Sequence, residues 1–403
     1  MKNKRFYQKP ILFNSAKKIG VIGADGSNEY YFDFGIPCQE SWGIGPVFGS
    51  RTRAIFTSYE DTLMKNLVAG NVMTHSWIHD FEDGSMLEIL DRDRPAPYIG
   101  CCGIFGDQDE LLWTALIDGE NILFISNFGG TQRRALTSEG EGFIYGVSLD
   151  QRQERIAFHI TGSKKMKEKY HRFRPGPYAI NVMDITGNDR RLVAGAPGHL
   201  YFGPDWSPDG LWLAYLDCLE EEDPAHFAAD ICVGKPDGSV NKILTSGQIA
   251  WFGTSHGSEN NRGGGSNMVK WSPDSKRVLF ARLLQDSHPD CYYDASLPNH
   301  EELVFAPHLA RGGSNICTID PESGLIQSLT KEEEGKWEHH ANFTSDGNYI
   351  VFSRAYVGFD NELWIMKSDG TEQQFLTKGF EKKGAISYSN IYSDMMIPIK
   401  EKQ

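Results

Sequence analysis

The chain has 403 residues, 40 % of them hydrophobic and 23 % charged, which is the composition of a globular protein and not of a disordered, collagen-like or membrane-embedded one. Its 40 Lys and Arg stand against 54 Asp and Glu, and the resulting charge of −14 repels nucleic acid and anionic lipid, so neither is expected as a partner. Length alone does not divide the chain, because closed β-repeat arrays exceed the roughly 150 residues of an average domain as single units.

The opening segment MKNKRFYQKPILFNSAKKIG is basic but lacks the apolar run of about 7–15 residues of a secretory signal, so the expected location is the cytoplasm. Seven cysteines without a Cys-x-x-Cys pair suggest neither a disulfide framework nor a cysteine zinc site. No run approaches the about 18 apolar residues of a membrane span.

In chain order, ILFNSAKKIGVIGADGSNEYYFDF reads first, as the later strands of a unit that lacks its own first strand. Three paired segments follow: AIFTSYE with SWIHDFEDGSMLEIL, LLWTALID with ILFISNFGGTQRRALT, and RIAFHITG with AINVMDITGNDRRLV. Then the pattern sharpens. Asp205-Trp206-Ser207-Pro208-Asp209-Gly210 leads into LWLAYLD, Trp271-Ser272-Pro273-Asp274-Ser275 into RVLFAR, and Phe343-Thr344-Ser345-Asp346-Gly347 into YIVFSRA. Each is followed by a hairpin ending in Leu-Thr, namely ICVGKPDGSVNKILT, ICTIDPESGLIQSLT and LWIMKSDGTEQQFLT. β-branched and aromatic residues fit a half-buried strand, Asp caps the turn, and Gly supplies the positive φ a tight hairpin requires.

Six complete four-strand units are counted from residue 36, the fifth carrying an insertion from about 285 to 311. The C-terminal KKGAISYSNIYSDMM supplies the first strand that the N-terminal unit lacks. The expected fold is therefore all-β: one domain over residues 1–403, a seven-bladed β-propeller of four-stranded blades, with one blade shared by about 8–35 and 384–398 so that N- and C-terminal strands close the ring. A β-sandwich does not explain the recurring Ser-x-Asp-Gly and Leu-Thr.

These repeats resemble the TolB-type propeller repeat, and a seven-unit chain without an attached catalytic domain resembles the oligogalacturonate lyase family, over nearly the whole length. The lyase resemblance implies cytoplasmic β-elimination on short galacturonate oligomers and a divalent metal, manganese, held by three histidines and a glutamine. For His340, which stands six residues before the Asp of its turn, it implies metal contact or proton transfer; His199 and His340 are the candidate metal ligands. The sequence has no pair of histidines one residue apart with an upstream glutamine on a first strand. The TolB resemblance implies the alternative, a non-catalytic propeller that binds a protein or peptide.

First strands of a propeller line its channel, so polar residues on or just before them converge. His199 and Tyr201 stand on one such strand; on another, His339 and His340 are adjacent, and strand alternation sends only one of them inward. The Gly-rich stretch from Trp251 to Asn267 offers His256, Asn260, Asn261, Arg262 and Asn267, and Arg311-Gly312-Gly313 repeats its Arg-Gly-Gly after an insertion that contains His288, His300 and His308. Uronate elimination needs a cation on the C6 carboxylate, a base for the C5 proton and an acid for the leaving oxygen. Arg262 and Arg311 suit the first task, His199, His256 or His340 base or ligand duty, and Tyr201 the proton donor. Asn260, Asn261 and Asn267 are expected to hydrogen-bond the substrate, a small acidic oligosaccharide.

Gly253-Thr254-Ser255-His256-Gly257 fits the Gly-x-Ser-x-Gly of a nucleophile elbow, but it lies between β-blades and not at a strand-to-helix turn, which argues against serine-hydrolase chemistry. His75 and His79 fall on a third strand, away from the channel, and read as structural. The acidic runs 220–223 and 332–334 and the basic run 164–169 read as solvated surface.

Overall fold

The computed structural model describes residues 10–15, 18–32, 40–46, 52–59, 73–105, 109–161, 178–219, 228–253, 257–258, 261–262, 268–294, 296 and 303–379. Pro10–Ser15, Lys18–Gly23 and Tyr30–Phe32 (β1–β3) form a three-stranded antiparallel sheet. Four-stranded meanders follow: Glu40–Pro46, Arg53–Tyr59, Thr74–Asp80 and Met86–Ile89 (β4–β7); Ile99–Phe105, Glu110–Ile117, Glu120–Asn127 and Arg134–Ala135 (β8–β11); and Phe143–Leu149, Arg155–Thr161, Ala179–Asp184 and Arg191–Ala194 (β12–β15). His199–Trp206, Leu213–Leu219, Ala228–Gly234 and Asn241–Ile243 (β16–β19) come next, then the short strands Ala250–Trp251, Gly257–Ser258, Asn261–Arg262 and Lys270–Trp271 (β20–β23). Val278–Leu283 (β24), the hairpin Cys291–Tyr293 and Leu303–Phe305 (β25, β26), a 3-10 turn at Pro307–Leu309, and Ser314–Ile319 and Ile326–Ser328 (β27, β28) lead to the last meander: Lys336–Phe343, Tyr349–Tyr356, Glu362–Lys367 and Gln374–Thr377 (β29–β32).

The chain is an all-β propeller whose sheets pack face to face in a ring. Leu12, Ile19 and Val21 of the N-terminal sheet meet Ala54, Phe56 and Trp77 of the next. Ile55 and Ile78 then meet Ile104 and Trp113, Leu123 and Ile125 meet Ile144 and Phe158, and Ala157 and Val182 meet Tyr201 and Tyr215. One large cluster joins the β16, β24 and β29 regions through Phe202, Trp251, Phe280 and Trp337. Val351, Leu363 and Ile365 of the last meander return to Ile11, Phe13 and Ile22 of the first sheet. Gln374 Nε2 donates to the carbonyl of Asp25 at 3.0 Å across that closure.

Seven separate four-stranded blades are not what the described residues form. Four meanders stand alone, and a nine-stranded sheet makes a fifth. The reason is β20, which pairs with β18 (Ala229 opposite Ala250) and with β24 (Ala250 opposite Arg282), fusing two meanders that the sequence reads as distinct. The N-terminal sheet has three strands, and the C-terminal strand expected to complete it lies outside the described residues. The β25–β26 hairpin and the 3-10 turn lie between β24 and β27.

The recurring motifs have local causes. Ser207 Oγ donates to Asp209 Oδ1 at 2.6 Å and accepts from Trp212 N at 2.9 Å, and Gly210 takes φ +71°. Ser272 with Asp274, and Thr344 with Asp346, repeat the clasp at 2.6 and 2.7 Å. The Thr of Leu-Thr satisfies a third-strand amide: Thr137, Thr245 and Thr330 accept through Oγ1 from Leu123, Ile231 and Ile316 N at 2.9–3.0 Å. These amides would otherwise be buried donors without an acceptor. Among the described residues no helix is long and apolar enough to cross a membrane.

First strands carry a bulge of one extra residue, between Trp42 and Ile44, Cys101 and Gly103, Tyr145 and Ser148, Phe202 and Asp205, and His339 and Asn342. In β12 and β16 the bulge residue is a left-handed glycine, Gly146 (φ +54°) and Gly203 (φ +64°). A Cβ on Gly203 would collide with Met268 Sδ. Gly203→Ala is therefore expected to lose about 1–3 kcal/mol through backbone strain and contact together. Adding Met268→Ala should return only part of it, which urea midpoints of the two variants would show; full recovery would remove the backbone term.

Candidate functional site

In an antiparallel meander the connections from second to third strand and from fourth strand to the next first strand emerge on one face of the ring. The other two kinds of connection emerge on the opposite face, where the Asp-capped turns sit. The long connections all belong to the first face: Tyr59 to Thr74, Thr161 to Ala179, Leu219 to Ala228, Ile243 to Lys270, and Leu283 to Ser314. Long loops on a rigid scaffold are where binding groups concentrate. β16 and β29 begin at this face, with His199 as the first residue of β16.

His199 Nδ1 lies 2.9 and 3.0 Å from the two carboxylate oxygens of Asp217, which stands on β17 opposite Tyr201. The Asp217 side chain is 3 % exposed and that of His199 29 %. Burial raises the Asp217 carboxyl above its ordinary range, and the hydrogen bond from His199 opposes the rise. The Tyr201 ring stacks on His199 at 5.4 Å with 4° between planes. Burial, with the Asp217 charge second, pushes the Tyr201 phenol up to about 12, so it keeps its proton at neutral pH. Asp230 stands opposite Asp217 on β18, and its oxygens accept from Thr245 Oγ1 (2.8 Å) and Gln248 Nε2 (2.8 Å). Gln248 also donates to the Asp217 carbonyl at 3.1 Å. The buried Asp217 carboxylate, bonded to Nδ1 of the partly exposed His199, fixes the orientation of that imidazole.

His339 and His340 do not part to opposite faces as alternation predicts. The bulge puts His340 at φ +49°, and the two rings meet through their Nδ1 atoms with centroids 4.7 Å apart. His339 is buried, and its Nε2 lies 3.1 Å from Asn361 Oδ1. A non-glycine residue in the left-handed region is uncommon and costs about 1–3 kcal/mol, which marks the position as constrained by its surroundings.

Of the Gly-rich stretch, His256, Asn260 and Asn267 lie outside the described residues, as does His300. The backbones of Asn261 and Arg262 form β22, paired with β21 (Gly257 opposite Arg262) in a small hairpin. Arg311 is exposed, and its backbone bridges that of His288 at 3.0 and 3.1 Å, closing the base of the insertion. Asp217, Asp230, Gln248 and Asn361 are the groups that sequence reasoning missed. His199 and His340, expected as metal ligands, each meet another side chain. Among the described residues no group of three or more His, Cys, Asp or Glu is placed to hold a metal ion. His75 Nδ1 pairs with Glu88 at 2.7 Å and His79 packs on Phe81, in keeping with structural roles. Burial pushes the Cys101 thiol up to about 12, which makes it a poor nucleophile.

No protein-family model matches the sequence, and no curated protein does. Solved structures do match. The tricorn protease superposes with a TM-score of 0.55 at 10 % identity over 97 % of this chain and 34 % of its own. An oligogalacturonate lyase in complex with manganese gives 0.53 at 12 % identity over 93 % of this chain and 85 % of its own. TolB from Acinetobacter baumannii gives 0.41 at 14 % identity over 76 % of this chain, which spans 65 % of that one. At such identities the likeness extends to the propeller fold and no further. The resemblance read from the repeats is met at that level.

Proposed function

We propose that the chain is a carbohydrate-active propeller that cleaves a small acidic oligosaccharide by β-elimination at the long-loop face. The observation that carries this reading is the His199–Asp217 pair with Tyr201 stacked on it. His199 Nε2 takes the C5 proton of a uronate while Asp217 holds Nδ1–H and stabilises the imidazolium. The electron pair of the C5–H bond forms the C4=C5 double bond, and the C4–O bond breaks. The leaving oxygen takes its proton from water, since the Tyr201 phenol expected to donate it is 5 % exposed and bonds Asn241 on β19. Arg262 and Arg311, from the two Arg-Gly-Gly segments, are the cations proposed for the C6 carboxylate, with Asn260, Asn261 and Asn267 on the sugar hydroxyls and His256 as a second base. The seven-bladed count, with the terminal strands sharing a blade over one domain, and a cytoplasmic location belong to the same reading. The described donors do not make a three-ligand metal set, so no step is routed through manganese.

The test is a rise in unsaturated-uronate absorbance on a panel of acidic oligosaccharides, with and without chelator. His199→Ala is expected to lower turnover by at least about 100-fold, the lower end of what positioned proton transfer contributes. Turnover unchanged in His199→Ala would remove this base. A second reading, a non-catalytic propeller that binds a protein or peptide, draws on the outer-strand side chains Leu192 and Ile243, 56 and 53 % exposed. It gains if no saccharide on the panel turns over and Ile243→Asp abolishes capture of a partner.

A further inference from the structure

Strand β17 outruns its neighbour on one side. β18 pairs with it as far as Asp217 opposite Asp230, and the next two residues, Ala229 and Ala228, pair instead with Ala250 and Trp251 of β20. On the other side β16 keeps register to the end, with Leu200 opposite Cys218 and His199 opposite Leu219. Gln248 takes the place that β18 leaves. Its Nε2 donates to the Asp217 carbonyl at 3.1 Å, and its Oε1 accepts from Leu219 N at 3.1 Å. A residue of a parallel strand bonds its neighbour in the same way, reaching the carbonyl before and the N–H after the residue it faces, which here is Cys218.

The partners fix the orientation of this amide, because a backbone N–H only donates and a backbone carbonyl only accepts. The other Nε2 hydrogen goes to Asp230 Oδ2 at 2.8 Å, and Gln248 N donates to Asp230 Oδ1 at 3.2 Å. Gln248 is 9 % exposed and takes φ +53°, a conformation that a non-glycine residue holds only where its surroundings impose it. Asp217 and Asp230 are acids directly opposite one another, an arrangement that repels. Gln248 and Thr245 engage Asp230 with neutral donors, while Asp217 meets His199. We propose that Gln248 is a positioning residue whose side-chain amide stands in for the departed strand and holds the end of β17, so that the Asp217 carboxylate stays on His199 Nδ1. Its part in turnover rests on the lyase reading; its hold on the pair does not.

Amide hydrogen exchange and imidazole 15N spectra of the full chain test this. Gln248→Gly suits the left-handed backbone and removes the amide. Leu219 N–H is expected to exchange at least about tenfold faster in this variant than in wild type, the scale of one lost buried hydrogen bond. The His199 Nδ1 signal should shift toward its position in Asp217→Asn, which lacks the carboxylate. His199→Gln assigns that signal, and His75, paired with Glu88 in another meander, should stay where it is. Unchanged exchange at Leu219 would overturn the strand-like role of the amide. Faster exchange with an unmoved His199 would overturn the positioning role, because a merely structural bond loosens the strand without disturbing the imidazole. If Gln248→Gly does not fold, Gln248→Met, of similar side-chain length and without the amide, is read in the same two ways. Turnover enters neither measurement, so a failed saccharide assay and a failed positioning role are separate results.

Discussion

Replacing Glu338 with alanine is expected to remove about 3–5 kcal/mol of stability, the usual result of breaking a buried ion pair from one side. Glu338 is fully buried on β29, and one of its oxygens accepts from Arg354 Nε at 2.7 Å and lies 3.6 Å from Lys336 Nζ. The other accepts from the Thr330 hydroxyl. Its backbone carbonyl and N–H both bond Ser314 Oγ, at 2.8 and 2.9 Å, tying two neighbouring meanders. Without the carboxylate, Lys336 retains the Lys331 carbonyl (2.6 Å) and Glu333 (3.6 Å), but buried Arg354 keeps only the neutral Gln373 (2.7 Å) and loses its counter-charge. Urea midpoints at constant slope measure the loss. Removing all three charges at once, with Glu338→Met, Lys336→Met and Arg354→Met, should be much less damaging, because no isolated charge is left behind. A loss below about 1 kcal/mol in Glu338→Ala would mean that water reaches the cluster and screens it.

Acid should unfold this protein partly through His159. Burial depresses its imidazole to about 3 from the ordinary 6.5. The ring stacks between Tyr145 at 5.6 Å and Tyr178 at 6.1 Å, and Nδ1 accepts from Gly203 N at 3.3 Å. The folded state therefore keeps His159 neutral at pH values where the unfolded chain protonates it. Above pH 6.5 the group has no effect on stability; as the pH falls towards about 3 the unfolded state binds the extra proton, and stability declines by about 1.4 kcal/mol per unit, on the order of 4–5 kcal/mol in all. His159→Phe lacks the titrating group. Melting the two proteins at pH 7 and pH 4.5 should show the wild type losing the larger share on acidification, whereas equal losses would exclude this histidine as a cause.

Turns and apolar alternation made most of the fold legible, since each rests on contacts within a few residues. Ser207 finds Asp209 and Trp212 locally, and Thr245 finds Ile231 across one hairpin. Strand β20 was not legible. Two residues, Ala250 and Trp251, carry no periodicity, and their pairing with β18 and β24 depends on how neighbouring meanders approach. The site divides in the same way. His199 and Tyr201 share a face because they are two apart, but Asp217 was read only as the end of an apolar segment. Its signal was the acid itself, a charged group inside LAYLDCL, where burial demands a partner. His339 and His340 defeated the alternation rule because one inserted residue changes the side on which everything after it falls. Asn361 lies in a loop, and no local pattern links it to His339.

The unequal lengths of the connections on the two faces separate two kinds of change. Short turns clasped by Ser, Thr and Asp set the register of neighbouring strands, so an alteration there is felt by a whole meander. The connections from Thr161 to Ala179 and from Leu283 to Ser314 join strands at the other face, where chain length varies most from one meander to the next. Sequence change on the clasped face is therefore bound to the fold of the strands it joins, more tightly than change in the long connections of the other face.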